Sequence, residues 1–333
     1  MTWPTNPRNW CSTRAQNTVW KNAVMTWKNC LASGFRRPWR ARSTWYSLAT
    51  NKSFNPNRFM ADRQNCYFLL TLFLLVFVVA CGSSYTPESR LVDVNDQRLN
   101  IRCSGEGAPA AILVSGLATD NHDWVNVEKQ VSERFQVCSY DRAGLGLSNP
   151  SNGMPTAQTA SDNLRELISV SGISGPVILV GHSYGGLIAQ LYAAQHPADT
   201  FGVVLVDSLH HENLERARLI LGEQSMSLFM EALNANPENV DIPTSLEQVR
   251  DINLGDTPLT VLTAGEAEVP PIIDPEVGRR LVSAWLYSQR ELTGLSTTGV
   301  QFVAEGSRHC IQCDRPDVVV DAIKEMADEV RFQ

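Results

Sequence analysis

The sequence predicts an α/β fold: a doubly wound, mostly parallel sheet of eight strands, with a small helical cap inserted after the sixth strand. Three observations predict it. From residue 91 onward, short apolar runs alternate with helical stretches, the pattern of a parallel sheet covered on both faces. One run, residues 177–180, passes through Gly181-His182-Ser183-Tyr184-Gly185-Gly186 straight into the helical residues 187–194, a strand, a sharp turn and a helix. The alternation breaks once, at residues 208–257, where about 50 residues of helical, amphipathic sequence punctuated by Pro237 and Pro243 separate two strands.

The elements follow in order. Residues 91–94 and 98–103 flank Asn95-Asp96-Gln97, a hairpin signal. Ala111–Val114 is a buried strand that ends in Ser115-Gly116-Leu117. A helix is expected over residues 124–134, then a strand over 135–140 and a glycine-rich loop over 141–148. Residues 156–170 place Leu164, Leu167 and Ile168 on one helical face. After the serine turn and its helix comes a strand at residues 202–207, then the cap. Leu259–Ala264 returns to strand. Asp274-Pro275 starts a helix to about Leu292, a capping residue followed by proline in the first turn. Residues 299–303 form the last strand, and residues 316–330 the last helix, with Asp314 as its expected cap. Such a sheet puts loops, and therefore ligands, at the carboxyl ends of its strands.

The first 59 residues read differently. They carry ten basic residues, no acidic one and six of the eight tryptophans, so the formal net charge of −7 leaves −17 for residues 60–333. A stretch of this kind, without apolar periodicity, is expected to be disordered or not translated, with Met60 as the start. A targeting presequence and a basic arm that touches nucleic acid or anionic lipid are the competing readings. Residues 66–80 are apolar, with one threonine and no charge. That is short of the roughly 20 residues of a full span and suits the apolar core of a secretory signal. The run ends in Val78-Val79-Ala80-Cys81, which resembles the lipobox of bacterial lipoproteins. The resemblance implies a lipidated Cys81 at the mature N-terminus. Residues 60–80 are thus expected to be a signal peptide or membrane segment. Residues 81–333 are expected to form one domain tied by lipid or segment to a membrane at the bacterial cell envelope.

The serine turn carries the chemistry. Its sharpness leaves no room for a Cβ at Gly181 or Gly185, and it exposes Ser183 at the positive end of a helix. A serine alcohol needs a general base, and the base needs an orienting acid. Of the histidines after Ser183, His196 ends the nucleophile helix, and His210 and His211 open the cap. His309 follows the last strand, on the same rim as Ser183, and is the expected base. The acid has two candidates: Asp207, which ends the strand after the nucleophile helix and is preferred, and Glu268, in the loop after the next strand. A tetrahedral oxyanion needs two backbone N–H donors. Tyr184 should supply one and Leu117 the other, so the elbow and the 115–117 loop should lie side by side.

With these residues in view, residues 90–333 resemble the α/β-hydrolase superfamily, on the motif 181–186, the loop Asp141-Arg142-Ala143-Gly144-Leu145-Gly146-Leu147-Ser148, Asp207 after its strand, and His309 followed by Asp314-Arg315-Pro316. The resemblance implies Ser183 as nucleophile, His309 as base and the Leu117 and Tyr184 N–H groups as oxyanion hole. It implies an esterase-like serine hydrolase working through an acyl-enzyme, with a small-molecule acyl substrate. Lactones, thioesters, small amides and activated C–C bonds fall within the same chemistry. The chain departs from the family where His-Gly is usual and Ser115-Gly116 stands here, and where the commonest acid position holds Glu268. Members with aspartate nucleophiles, the epoxide and haloalkane hydrolases, do not fit the serine elbow. A ligand-binding or signalling protein on the same fold is the alternative.

With Cys81 set aside as lipidated, four cysteines remain in the expected domain. Cys103 and Cys138 end neighbouring strands and could bridge. Cys310-Ile311-Gln312-Cys313 has metal-like spacing but lacks two further ligands, so a local disulfide or two buried thiols is the plainer reading. Gly144 and Gly146 lack the third glycine and the helix of a dinucleotide loop. No metal, cofactor or nucleic-acid partner is expected.

Overall fold

The computed structural model describes residues 87–267, 269 and 273–329. The basic segment, the apolar run, Cys81 and Glu268 lie outside the described residues. Eight strands form one sheet in the order β1-β2-β4-β3-β5-β6-β7-β8. The strands are β1 (Glu88–Val94), β2 (Gln97–Ser104), β3 (Ala111–Val114), β4 (Val137–Asp141), β5 (Val177–His182), β6 (Thr200–Val206), β7 (Leu259–Ala264) and β8 (Val300–Ala304). β1 and β2 form a hairpin, β2 pairs antiparallel with β4, and all other pairings are parallel.

Every residue of β3, β4 and β5 is buried, which is why β3 and residues 177–180 of β5 read as continuous apolar runs rather than as alternating ones. In β4 the buried Ser139 and Asp141 are hydrogen-bonded, Ser139 to Glu128 and Asp141 to Asn100 and Asn121. On one face of the sheet, Leu164 and Leu167 of the helix Ala157–Val170 pack with Leu187 and Ile188 of Tyr184–Gln195. On the other face, Val127 and Val131 of Val125–Val131 pack with Val319 and Ile323 of Pro316–Glu329. Thr156 caps the first of these helices through its side chain, which accepts from the Thr159 N–H, and Asp274 caps Pro275–Leu292 by accepting from Glu276 and Val277.

Two local expectations change. The helix expected over residues 124–134 is a 3₁₀ turn, Asn121–Trp124, followed by the shorter Val125–Val131. Asp314 does not cap the last helix. It closes a separate turn, Ile311–Asp314, and its carboxylate accepts from the backbone N–H and guanidinium of Arg308. An ionic partner six residues back outcompetes the helix end.

Between β6 and β7 lie the helices Asn213–Asn234, broken at Gly222, and Ile242–Glu247. The first packs on Pro275–Leu292: the Asn213 amide donates to Ser288 Oγ at 2.9 Å, and Arg216 pairs with Glu291. Among the described residues, two disulfides form. Cys103–Cys138 joins residues directly opposite each other in β2 and β4, and Cys310–Cys313 closes the turn after His309. No described helix is long and apolar enough to cross a membrane.

Candidate active site

From residue 177 to residue 193, Ser183 is the one side chain that is not fully buried. Its backbone explains this. Ser183 sits at φ 52° and ψ −117° between β5 and the helix Tyr184–Gln195, a conformation that L-residues avoid and that survives where surrounding contacts enforce it. The Ser183 N–H donates to Val206 O, while its carbonyl accepts from Gly186 and Leu209. A Cβ at Gly181 would come within 2.5 Å of Gly185 O, and one at Gly185 within 2.5 Å of Ser115 O. The turn therefore needs both glycines. The Tyr184 N–H is one of the helix's unpaired first-turn donors.

Because β5 and β6 are parallel and pair His182 with Val206, the next residues, Ser183 and Asp207, emerge at the same level of the same rim. Asp207 is also held at positive φ, 42°. Its carboxylate is fully engaged: Oδ1 accepts from the Ala264 N–H and from Trp285 Nε1, both at 3.1 Å, and Oδ2 accepts from His309 Nδ1 at 2.7 Å. The Asp207 side chain is 3% exposed and that of His309 is 52% exposed. The acid is thus locked in protein while the imidazole stands open at the rim. With Nδ1 as the donor to Asp207, Nε2 is the basic nitrogen.

Three devices fix the His309 loop. His182 Nε2–H donates to His309 O at 2.9 Å, with ring centroids 4.7 Å apart. Burial, then the neighbouring His309 and Arg142, holds the His182 pKa well below the ordinary value, so its ring is neutral. The Arg308–Asp314 ion pair and the Cys310–Cys313 bridge brace the chain on either side.

The loop after β3 lies against the elbow: a Cβ at Gly116 would sit 3.4 Å from Ser183 Cβ. Ser115, the departure from His-Gly, shapes that loop by accepting from Trp124 Nε1 and donating to Asp120 O. Leu117 N–H finds no acceptor among the described residues. The 141–148 loop is tied down by Asp141, whose carboxylate accepts from Asn100, Asn121 and Leu147.

The structure thus brings Ser183, His309, Asp207, Leu117 and Tyr184 to one rim. Glu268 is not among the described residues. Sequence reasoning missed His182, Trp285 and the contacts of Arg142. The first stands inside the serine motif and could have been noticed there, but no local signal marks the other two. His210, Glu212 and Glu291 lie close enough to share an ion, yet Arg216 already bridges both carboxylates.

A model described as "Alpha/beta hydrolase family" matches residues 111–322. The uncharacterized protein YqjL of Bacillus subtilis is 25% identical over 221 residues, which is 66% of this chain and 83% of YqjL. Among solved structures, a thermophilic esterase from Thermogutta terrifontis superposes with a TM-score of 0.55 at 20% identity, covering 73% of this chain and 99% of the esterase. A Vigna radiata epoxide hydrolase mutant superposes with a TM-score of 0.55 at 14% identity, covering 74% and 100%. At such identities the two structures speak for the fold alone.

Proposed function

The chain belongs to the alpha/beta hydrolase family, and from that premise we propose that it is a serine hydrolase cleaving an acyl bond, a carboxylic ester first, through an acyl-enzyme. The observation that carries this reading is the 2.7 Å bond from His309 Nδ1 to buried Asp207, set beside a serine on a positive-φ turn. Ser183 Oγ attacks the carbonyl carbon and its proton passes to His309 Nε2. The Leu117 and Tyr184 N–H groups receive the oxyanion. As the tetrahedral intermediate collapses, the C–O bond breaks and the alkoxide leaves with the proton from His309. Water then adds to the acyl-serine with His309 again as base, which frees the carboxylic acid and restores Ser183. Asp207 orients the imidazole and stabilises the imidazolium. A carboxylate at the elbow would support an alkyl-enzyme ester instead, and Ser183 does not supply one.

The test is labelling by a fluorophosphonate probe and hydrolysis of p-nitrophenyl esters of increasing acyl length, with Ser183→Ala as control. A wild-type chain that neither labels nor hydrolyses any of them ends the proposal.

We also place the domain at the cell envelope, tethered through Cys81. The apolar run ending in Val78-Val79-Ala80-Cys81 and the two disulfides, which persist in oxidising compartments, support this. Incorporation of labelled palmitate that survives Cys81→Ala would count against the lipid anchor.

A further inference from the structure

Arg142 and Glu238 form an ion pair whose side chains are 6% and 2% exposed. Burying two charges costs desolvation energy that their attraction does not reliably return, so the pair's other bonds matter. Arg142 Nε and Nη2 donate to the two Glu238 oxygens at 2.6 and 2.9 Å. The rest of the fork reaches the loop after β3: Nη1 donates to Ser115 O at 2.5 Å and Nη2 to Gly116 O at 2.7 Å. Glu238 Oε1 also accepts the Ala118 N–H at 2.9 Å. Three successive peptide units, from Ser115 to Ala118, are thus held by one pair of side chains.

We propose that the Arg142–Glu238 pair is the positioning device of the oxyanion hole, and that Glu238 makes the insertion between β6 and β7 part of its support. This rests on the serine-hydrolase reading. The geometry of the peptide supplies the link. In a planar trans peptide the C=O and N–H point in opposite directions. Drawing Gly116 O toward the guanidinium turns the Leu117 N–H of the same peptide away from it, and holding the Ala118 N–H stops the next unit from rotating. Ala118 itself sits at φ 59°, so the segment needs enforcing contacts. A cation on the carbonyl side also polarises the peptide and strengthens its N–H as a donor. The guanidinium carbon lies 5.4 Å from the centre of the Tyr184 ring, so Arg142 meets both the peptide that carries the Leu117 N–H and the side chain of Tyr184. Burial works against the charge on Arg142, but Glu238 outweighs it and raises the pKa, which keeps the guanidinium charged. Glu238 stands 96 residues beyond Arg142, in the segment whose Pro237 carbonyl packs over Gly144. Any rearrangement of the insertion is thereby transmitted to the hole.

The experiment uses the full chain with Arg142→Lys, Glu238→Gln and Glu238→Ala. The concentration of working sites is counted by fluorophosphonate titration, so partly unfolded preparations still yield per-site values. A lysine reaches one carbonyl where arginine reaches two. For Arg142→Lys and Glu238→Ala, kcat on p-nitrophenyl butyrate is expected to fall about 100-fold, the loss typical of one oxyanion donor, with KM within threefold. The inhibition constant of a trifluoromethyl ketone, which forms a tetrahedral adduct, should rise by a similar factor. Glu238→Gln keeps the shape and the acceptor for Ala118 and should recover about tenfold of the loss. Variants with lowered thermal midpoints but per-site kcat and ketone inhibition within threefold of wild type would make the pair merely structural and overturn the proposal. So would a raised KM at unchanged kcat. An inactive, unlabelled wild type sinks the hydrolase reading itself, whereas an active wild type with unaffected variants sinks only this inference.

Discussion

The sharpest prediction concerns Asp207→Asn. The Oδ1 atom of Asp207 is gripped by the Ala264 N–H and Trp285 Nε1. An asparagine must keep its carbonyl oxygen on that side, because its amide cannot accept from those two donors. Its NH₂ group therefore faces His309 Nδ1, which must become an acceptor. The imidazole proton then moves to Nε2, the nitrogen that should take the proton from Ser183. One atom's change thus inverts the tautomer without altering shape. The ionic support for the imidazolium is lost as well. The expected loss in kcat is about 10³–10⁴-fold, or roughly 4–5.5 kcal/mol of transition-state stabilisation. Folding stability should change by only about 1 kcal/mol, since the buried Oδ1 bonds persist. Steady-state hydrolysis of p-nitrophenyl butyrate, with thermal midpoints measured alongside, reads both quantities. Glu268→Gln is the companion variant and should retain at least about a tenth of wild-type kcat. If Asp207→Asn stays within tenfold of wild type while Glu268→Gln collapses, the acid is Glu268 and the reasoning fails.

Other predictions concern the frame around the site. Gly185→Ala drives a methyl group into the Val114 and Ser115 carbonyls and should cost at least about 3 kcal/mol of stability, measured by urea unfolding; a cost under 1 kcal/mol would mean the turn has slack. Replacing Cys103 and Cys138 by serine opens a cross-link of sequence separation 35 and should cost about 3–4 kcal/mol; an unchanged urea midpoint in oxidising buffer would refute the link's stabilising role. Acid should weaken the fold partly through His210, whose pKa is held down at about 4 by burial first, then by His211 and Arg216. Between the ordinary value of 6.5 and that figure the unfolded chain binds a proton the folded one refuses, so unfolding free energy falls as pH falls through this window. Urea midpoints should drop from pH 7 to pH 5, and less steeply in His210→Gln; equal slopes for the two proteins would exclude the histidine.

Some of this protein was written locally. Apolar runs of four to seven residues became strands because burial on both faces removes alternation, and residues 177–180 followed by the glycine-flanked serine specified the elbow within ten residues. Cys103 and Cys138 could be named as ending neighbouring strands, since the hairpin and its next strand are close in sequence. The helix cap at Asp274 was legible for the same reason, because a cap bonds two or three residues away. The fate of Asp314 was not, because its Arg308 partner competes with the helix for the same carboxylate. Local pattern preferred Asp207 to Glu268 only because Asp207 ends its strand directly; both follow parallel strands on one rim, so it left Glu268 as the alternative. What sets Asp207 against His309 is the register of β6 on β7 and a tryptophan 78 residues away. The bonds of Arg142 to Glu238 and of His182 to the His309 carbonyl span 96 and 127 residues. Periodicity and capping act over a turn or a strand, so sequence alone determined the elements and the serine turn. Which buried charges and donors surround that serine depends on how distant elements pack, and only the tertiary structure decided it.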